Sequence, residues 1–135
     1  MLKKLKKNKK GFTLAELLIV VAIIGVLVAI SIPIFTSQLE KARDATTLAN
    51  LRAAYAEASA AYLTGDDSSN ADVTMNTNAK GGTVVVSNVK IMSTDADYGT
   101  DSSNLPFTVT AVAKGTYKAT FTFAENGGVT CTLAQ

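Results

Sequence analysis

The chain has one cysteine, no histidine and no tryptophan among its 135 residues. A single cysteine excludes an intramolecular disulfide, so a domain folded outside the cytoplasm must hold together by packing alone. Cys131 alternates with Val129 and Leu133. That pattern reads as a small buried hydrophobe on a strand rather than as a thiol that pairs between chains or reacts. Without histidine or a second cysteine, the usual zinc sites and the histidine-based catalytic pairs are excluded. There is also no glycine-rich phosphate loop and no nucleophile constellation, so no catalytic residue is assigned and the chain reads as non-enzymatic. The length admits one ordinary domain, or a smaller domain with an accessory segment.

Acidic residues are missing from the first eleven positions, where Lys3, Lys4, Lys6, Lys7, Lys9 and Lys10 supply six of the thirteen basic residues. The rest of the chain carries seven basic against eleven acidic residues and is therefore acidic. Nucleic-acid binding through a general positive field is not expected of that remainder, because neutralising phosphates needs clustered Lys and Arg.

Charge is absent altogether from Leu17 to Leu39. Its most apolar part, Leu17–Phe35, would span about 28 Å as a helix, close to the hydrocarbon thickness of a bilayer. It is apolar on every face, so it needs lipid or protein around its whole circumference. Six lysines before it, against Lys41 and Arg43 after it, predict a single pass with the N-terminus in the cytoplasm. A conventional secretory signal has a shorter apolar region of about 7–15 residues ending at a small-residue cleavage site. A simple signal anchor passes the same hydropathy test.

Glu16 separates these readings. A carboxylate near the start of a membrane span is costly, and an anchor gains nothing from it. If the chain were cut after Gly11, the new α-amino group of Phe12 would lie one helical turn from Glu16 and would form a natural ion pair, within one chain or between neighbours. The bland alternative is an incidental interfacial acid.

The segment Lys10-Gly11-Phe12-Thr13-Leu14-Ala15-Glu16-Leu17-Leu18 resembles the class III signal of type IV pilins and of the pseudopilins of type II secretion and competence systems. The resemblance covers about a third of the chain, and Ala15 departs slightly from the bulkier aliphatic often found at its position. It implies cleavage between Gly11 and Phe12 by a prepilin peptidase and N-methylation of Phe12. It also implies that Glu16 meets the terminal amine of a neighbouring subunit during assembly by membrane-embedded machinery. Gly25 and Pro33 sit where many pilins carry a helix-weakening pair. Physically, Gly25 costs about 1 kcal/mol against alanine. Pro33 removes the hydrogen bond to the Ala29 carbonyl at about 3 kcal/mol. Both residues are also common in membrane helices, so a functional hinge and a bland reading stand side by side.

Beyond Ser37 the chain becomes amphipathic. Leu48, Leu51, Tyr55, Ala58 and Tyr62 recur at spacings of three and four, alanine fills the surroundings, and Gly65 is the expected stop. A helix from Phe12 to Leu63 would be about 80 Å long. A small domain cannot cover all of it, so its apolar half must be met by membrane or by identical helices. From Thr83 the period changes to two: a valine-rich Thr83–Met92 strand, then alternation through Phe107–Ala111, Tyr117–Phe123 and Val129–Leu133. Turns are expected at Lys114-Gly115 and Asn126-Gly127-Gly128. This predicts an antiparallel meander with a threonine-rich outer face.

The expected fold is α+β, a pilin-like lollipop in which one long N-terminal helix packs on a small antiparallel β-sheet. Its parts are a leader at 1–11, a hydrophobic half-helix at 12–36 and an external domain at 37–135. Asp95, Asp97 and Asp101 alternate in a loop chemically suited to calcium, but the twelve-residue loop and its closing glutamate are missing. A solvated polar loop is the stronger reading, and no cofactor is assigned. Those acids also suit a basic patch on a neighbouring subunit.

The resemblance implies a type IV pilus subunit, stored in the membrane and polymerised into a surface filament that serves adhesion, motility or DNA uptake. A major pseudopilin is the alternative within the family. A monomeric, signal-anchored surface binding module is the alternative outside it.

Overall fold

A computed structural model describes residues 11–67, 70–76 and 82–135, the side chains of Asn76, Thr100 and Asp101 excepted. The N-terminal lysines, Lys10 included, lie outside the described residues. The elements are α1 (Leu14–Thr64), β1 (Val73–Asn76), β2 (Thr83–Ile91), a 3-10 turn (Thr100–Asn104), β3 (Thr108–Val109), β4 (Gly115–Phe123) and β5 (Val129–Ala134). The chain is α+β, one long helix with a five-stranded, mostly antiparallel sheet. It divides into two compact units, one ending at Gln38 and one comprising Leu39–Gln135.

In the second unit α1 buries Thr47, Leu48, Leu51, Ala54, Ala58 and Ala61, the three-and-four spacing of a single helical face. Alanines and leucines share that face, and the core they enter is also packed by Tyr55. Its ring lies 5.1 Å from Phe107 and 5.9 Å from Phe121, while Tyr62 stacks on Phe123 at 4.4 Å. The helix ends at Gly65, whose φ of 68° and N–H bond to the Ala61 carbonyl (2.8 Å) form a left-handed cap.

The buried residues of β2 are Val84, Val86, Val89 and Ile91, which switch from even to odd positions. A bulge accounts for the switch: pairing with β4 shifts register between Val86 and Val89, and Asn88 takes φ 59°. Asp72 secures it, accepting the Ser87 N–H on its carbonyl (2.7 Å) and the Asn88 amide on its carboxylate (2.8 Å). In β4 and β5 the alternation holds, with Ala119, Phe121, Phe123 and Cys131 buried. Burial pushes the Cys131 thiol up to about 12, so it is a packing residue.

The meander expectation needs correction. The strand order is β1-β2-β4-β5-β3, and β3 runs parallel to β5, Thr108 opposite Thr130 and Val109 opposite Cys131. Lys114-Gly115 is therefore not a hairpin turn. The backbone between β3 and β4 is satisfied by tyrosines instead of a ladder. The Tyr98 hydroxyl accepts the Val112 N–H (2.8 Å) and donates to its carbonyl (3.1 Å), and Tyr117 donates to Ala113 (2.8 Å). The Asn126-Gly127-Gly128 turn does join antiparallel neighbours, with Gly127 at φ 85°. The short β1 was not apparent in the sequence pattern.

A polar seam fastens α1 to the segment after β2. Buried Thr47 accepts the N–H groups of Met92 (2.9 Å) and Ser93 (3.0 Å), and Asp44 accepts the Ser93 hydroxyl. Thr47→Val orphans two N–H groups and is expected to cost about 2 kcal/mol, read as a lowered urea midpoint with unchanged slope.

One turn earlier, Glu40 accepts the Thr94 N–H (2.8 Å) and hydroxyl (2.7 Å), with Arg43 at 3.3 Å. These bonds, the Thr94 hydroxyl first, lower the Glu40 carboxyl from 4.5 to about 2. A depressed folded value means the contribution is complete above about pH 4.5 and fades as pH falls towards 2. Thermal melts across that window should show a shallower loss for Glu40→Gln than for the wild type, and equal slopes would contradict the assignment.

Candidate functional site

The helix start carries the sequence-predicted site. Thr13 is the N-cap: its carbonyl takes the Leu17 N–H at 3.2 Å, and its hydroxyl takes the Glu16 N–H at 3.3 Å. Glu16 reaches back, accepting the Thr13 N–H on Oε2 at 2.9 Å. This is a reciprocal capping box, three residues apart, which satisfies two donors the helix would leave open. The Thr-x-x-Glu spacing announces it, although the apolar pattern alone predicts a helix from Phe12. The structure starts it at Leu14, because an N-cap residue takes a non-helical backbone. Gly11 and Phe12 precede the helix in irregular backbone, and Phe12 is 78 % exposed.

From Leu17 to Phe35 every large hydrophobic side chain is between 47 % and 68 % exposed. The helix is long and apolar enough here to cross a membrane. It continues through Gly25 and Pro33 without a break. Pro33 has no N–H for the Ala29 carbonyl. Nearby hydroxyls bond back to the helix, Ser31 to the Leu27 carbonyl (2.6 Å) and Thr36 to those of Ile32 (3.2 Å) and Pro33 (3.0 Å). A Cβ added at Gly25 would meet nothing within 4 Å, so nothing in the chain's own fold demands glycine there.

The acidic loop holds Asp95, Asp97 and Asp101. Asp97 accepts the Gly99 N–H at 3.0 Å, a local turn, and the Asp95 N–H points to Glu40 at 3.4 Å. The Asp101 side chain lies outside the described residues. Among the described residues no three His, Cys, Asp or Glu side chains converge as metal ligands.

The family described as the prokaryotic N-terminal methylation motif matches residues 6–32, a stretch holding Gly11, Phe12, Glu16 and Gly25 but not Pro33. The type IV major fimbrial protein FimA of Dichelobacter nodosus is 30 % identical over 120 residues, 87 % of this chain and 74 % of FimA. The chain belongs to the type IV pilin family. Two other relatives match the pilin more locally. The type IV narrow pilus major component PilA5 of Thermus thermophilus is 54 % identical over 50 residues, 35 % of this chain. The type IV major pilin protein PilA of Myxococcus xanthus is 48 % identical over 48 residues, 36 % of this chain. The matched segments span 43 % and 22 % of those two relatives. No solved structure matches the pilin.

Proposed function

We propose that this pilin is a structural subunit of a type IV pilus. Leu17–Phe35 holds the precursor in the membrane with its N-terminus on the cytoplasmic side. A prepilin peptidase cuts between Gly11 and Phe12, the new Phe12 amine is methylated, and the assembly machinery stacks the chains through α1. Glu16 pairs with the terminal amine of a neighbour and sets the axial register. The stretch between Gly25 and Pro33 bends or melts to fit the stacked helices, since proline and glycine weaken it.

The observation that carries this reading is a carboxylate fixed at the head of a helix whose apolar surface is exposed all round. Such a surface is stable only in lipid or against other apolar helices. The exposed backbone at Gly11 and Phe12 is what a peptidase requires. The proposal is tested by electron microscopy with antibody against Leu39–Gln135. Labelled long fibres, lost on deletion of the gene, support it; surface label without fibres removes it. A pseudopilin of a secretion or competence system is the second reading. The relatives' names, which refer to pili and fimbriae, favour the pilus.

A further inference from the structure

A cleft of about 540 Å3 lies between the 96–109 segment and the start of β5, with Asp97, Ser102, Leu105, Phe107, Val109 and Val129 in its wall. Its volume is in the range that holds bound groups, about 300–1,000 Å3. Asp97 is exposed and is the one charged side chain among the described residues of the wall. Its bond to the Gly99 N–H orients the carboxylate. Among the described residues the only ion pair is Arg43–Glu40, so no cation of the described chain neutralises Asp97.

This lining discriminates between ligands. An acidic group would meet a like charge with no counter-ion. A sugar would find no aromatic face, because Tyr98 and Phe107 are only 2 % and 6 % exposed. The wall then offers aliphatic surface from Leu105, Val109 and Val129, all partly buried, with Ser102 and Thr108 beside it and one carboxylate above. That combination suits an aliphatic stem ending in an ammonium group, which is a lysine side chain. The chain itself offers such groups: Lys41, Lys90, Lys114 and Lys118 are exposed and make no ion pair among the described residues.

We propose that this cleft receives a lysine side chain from a second copy of the chain. An acid in a cleft and a lysine elsewhere on the same surface make a heterologous contact, which extends a filament wherever its rotation does not close into a ring. The inference rests on the filament reading above and adds to it a contact between external domains.

The test uses filaments co-assembled from isotopically light and heavy copies. A carbodiimide condenses a touching carboxylate and amine into an amide and takes up the water as a urea. Mass spectrometry should find Asp97 joined to a lysine in mixed light–heavy peptides, and not in detergent-dispersed monomers. Asp97→Asn keeps the oxygen for the Gly99 N–H. It should lose that peptide and let filaments fall apart at lower salt. Absence of filaments overturns the filament reading and this inference together. Filaments in which other carboxylates couple but Asp97 does not overturn the cleft assignment alone. So does coupling confined to one copy, an unchanged salt limit in Asp97→Asn, or protection of Asp97 by calcium in dispersed monomers.

Discussion

Glu16→Ala is expected to give a processed, folded, membrane-inserted monomer and few filaments. Among the described residues the Glu16 carboxylate accepts one hydrogen bond, from the Thr13 N–H, so within one chain its loss costs only a capping interaction of about 1 kcal/mol at an exposed helix end. In a filament core the loss leaves a terminal ammonium without a partner among apolar helices. Breaking a buried pair in that way costs about 3–5 kcal/mol, roughly a hundred- to several-thousand-fold in subunit association.

Glu16→Gln separates the two roles. It retains an oxygen for the Thr13 N–H but carries no charge. It should start its helix normally and still assemble poorly. Sheared filaments, recovered by pelleting and counted by electron microscopy, give the readout. Abundant normal filaments from either variant would contradict the register assignment.

The second large effect is on folding. Phe121→Ala should destabilise the Leu39–Gln135 unit by about 3–5 kcal/mol, a large part of the roughly 5–15 kcal/mol available to a domain. Phe121 is fully buried, opposite Val84 on β2 and Cys131 on β5. Its ring stands edge-on to Phe107 at 5.2 Å and beside Tyr55, so it joins strand, helix and loop in one contact. The chain's one cysteine cannot form an internal disulfide to hold the unfolded segments together. Urea unfolding of the detergent-solubilised chain, followed by tyrosine fluorescence, should show the lower midpoint, with Phe121→Leu intermediate. A midpoint within error of wild type would mean the core does not centre on this ring.

Much of this arrangement was legible because it is local. The stripe from Leu48 to Ala58, the stop at Gly65, the turn around Gly127 and the burial of Cys131 all follow from periodicity or from one residue's conformational freedom. What escaped depends on distant partners. The edge position of β3 depends on Tyr98 bonding Val112 and on pairing with β5, neither visible in the alternation of Phe107–Ala111. β1 has four residues, too few to show a period, and is held by its register with β2. The β2 bulge needed Asp72, sixteen residues before Asn88. At the helix head the charge of Glu16 draws the eye to an amine partner, whereas the bond the structure shows is to Thr13, spelled out by a spacing of three.

The most direct test is the mass of the mature N-terminus of the native protein. A chain beginning at N-methylated Phe12 is the result this account predicts, since it would create the amine that Glu16 is proposed to meet. An intact Met1, or a cut beyond Phe35, would contradict it by leaving Glu16 without that partner or removing the assembly helix altogether.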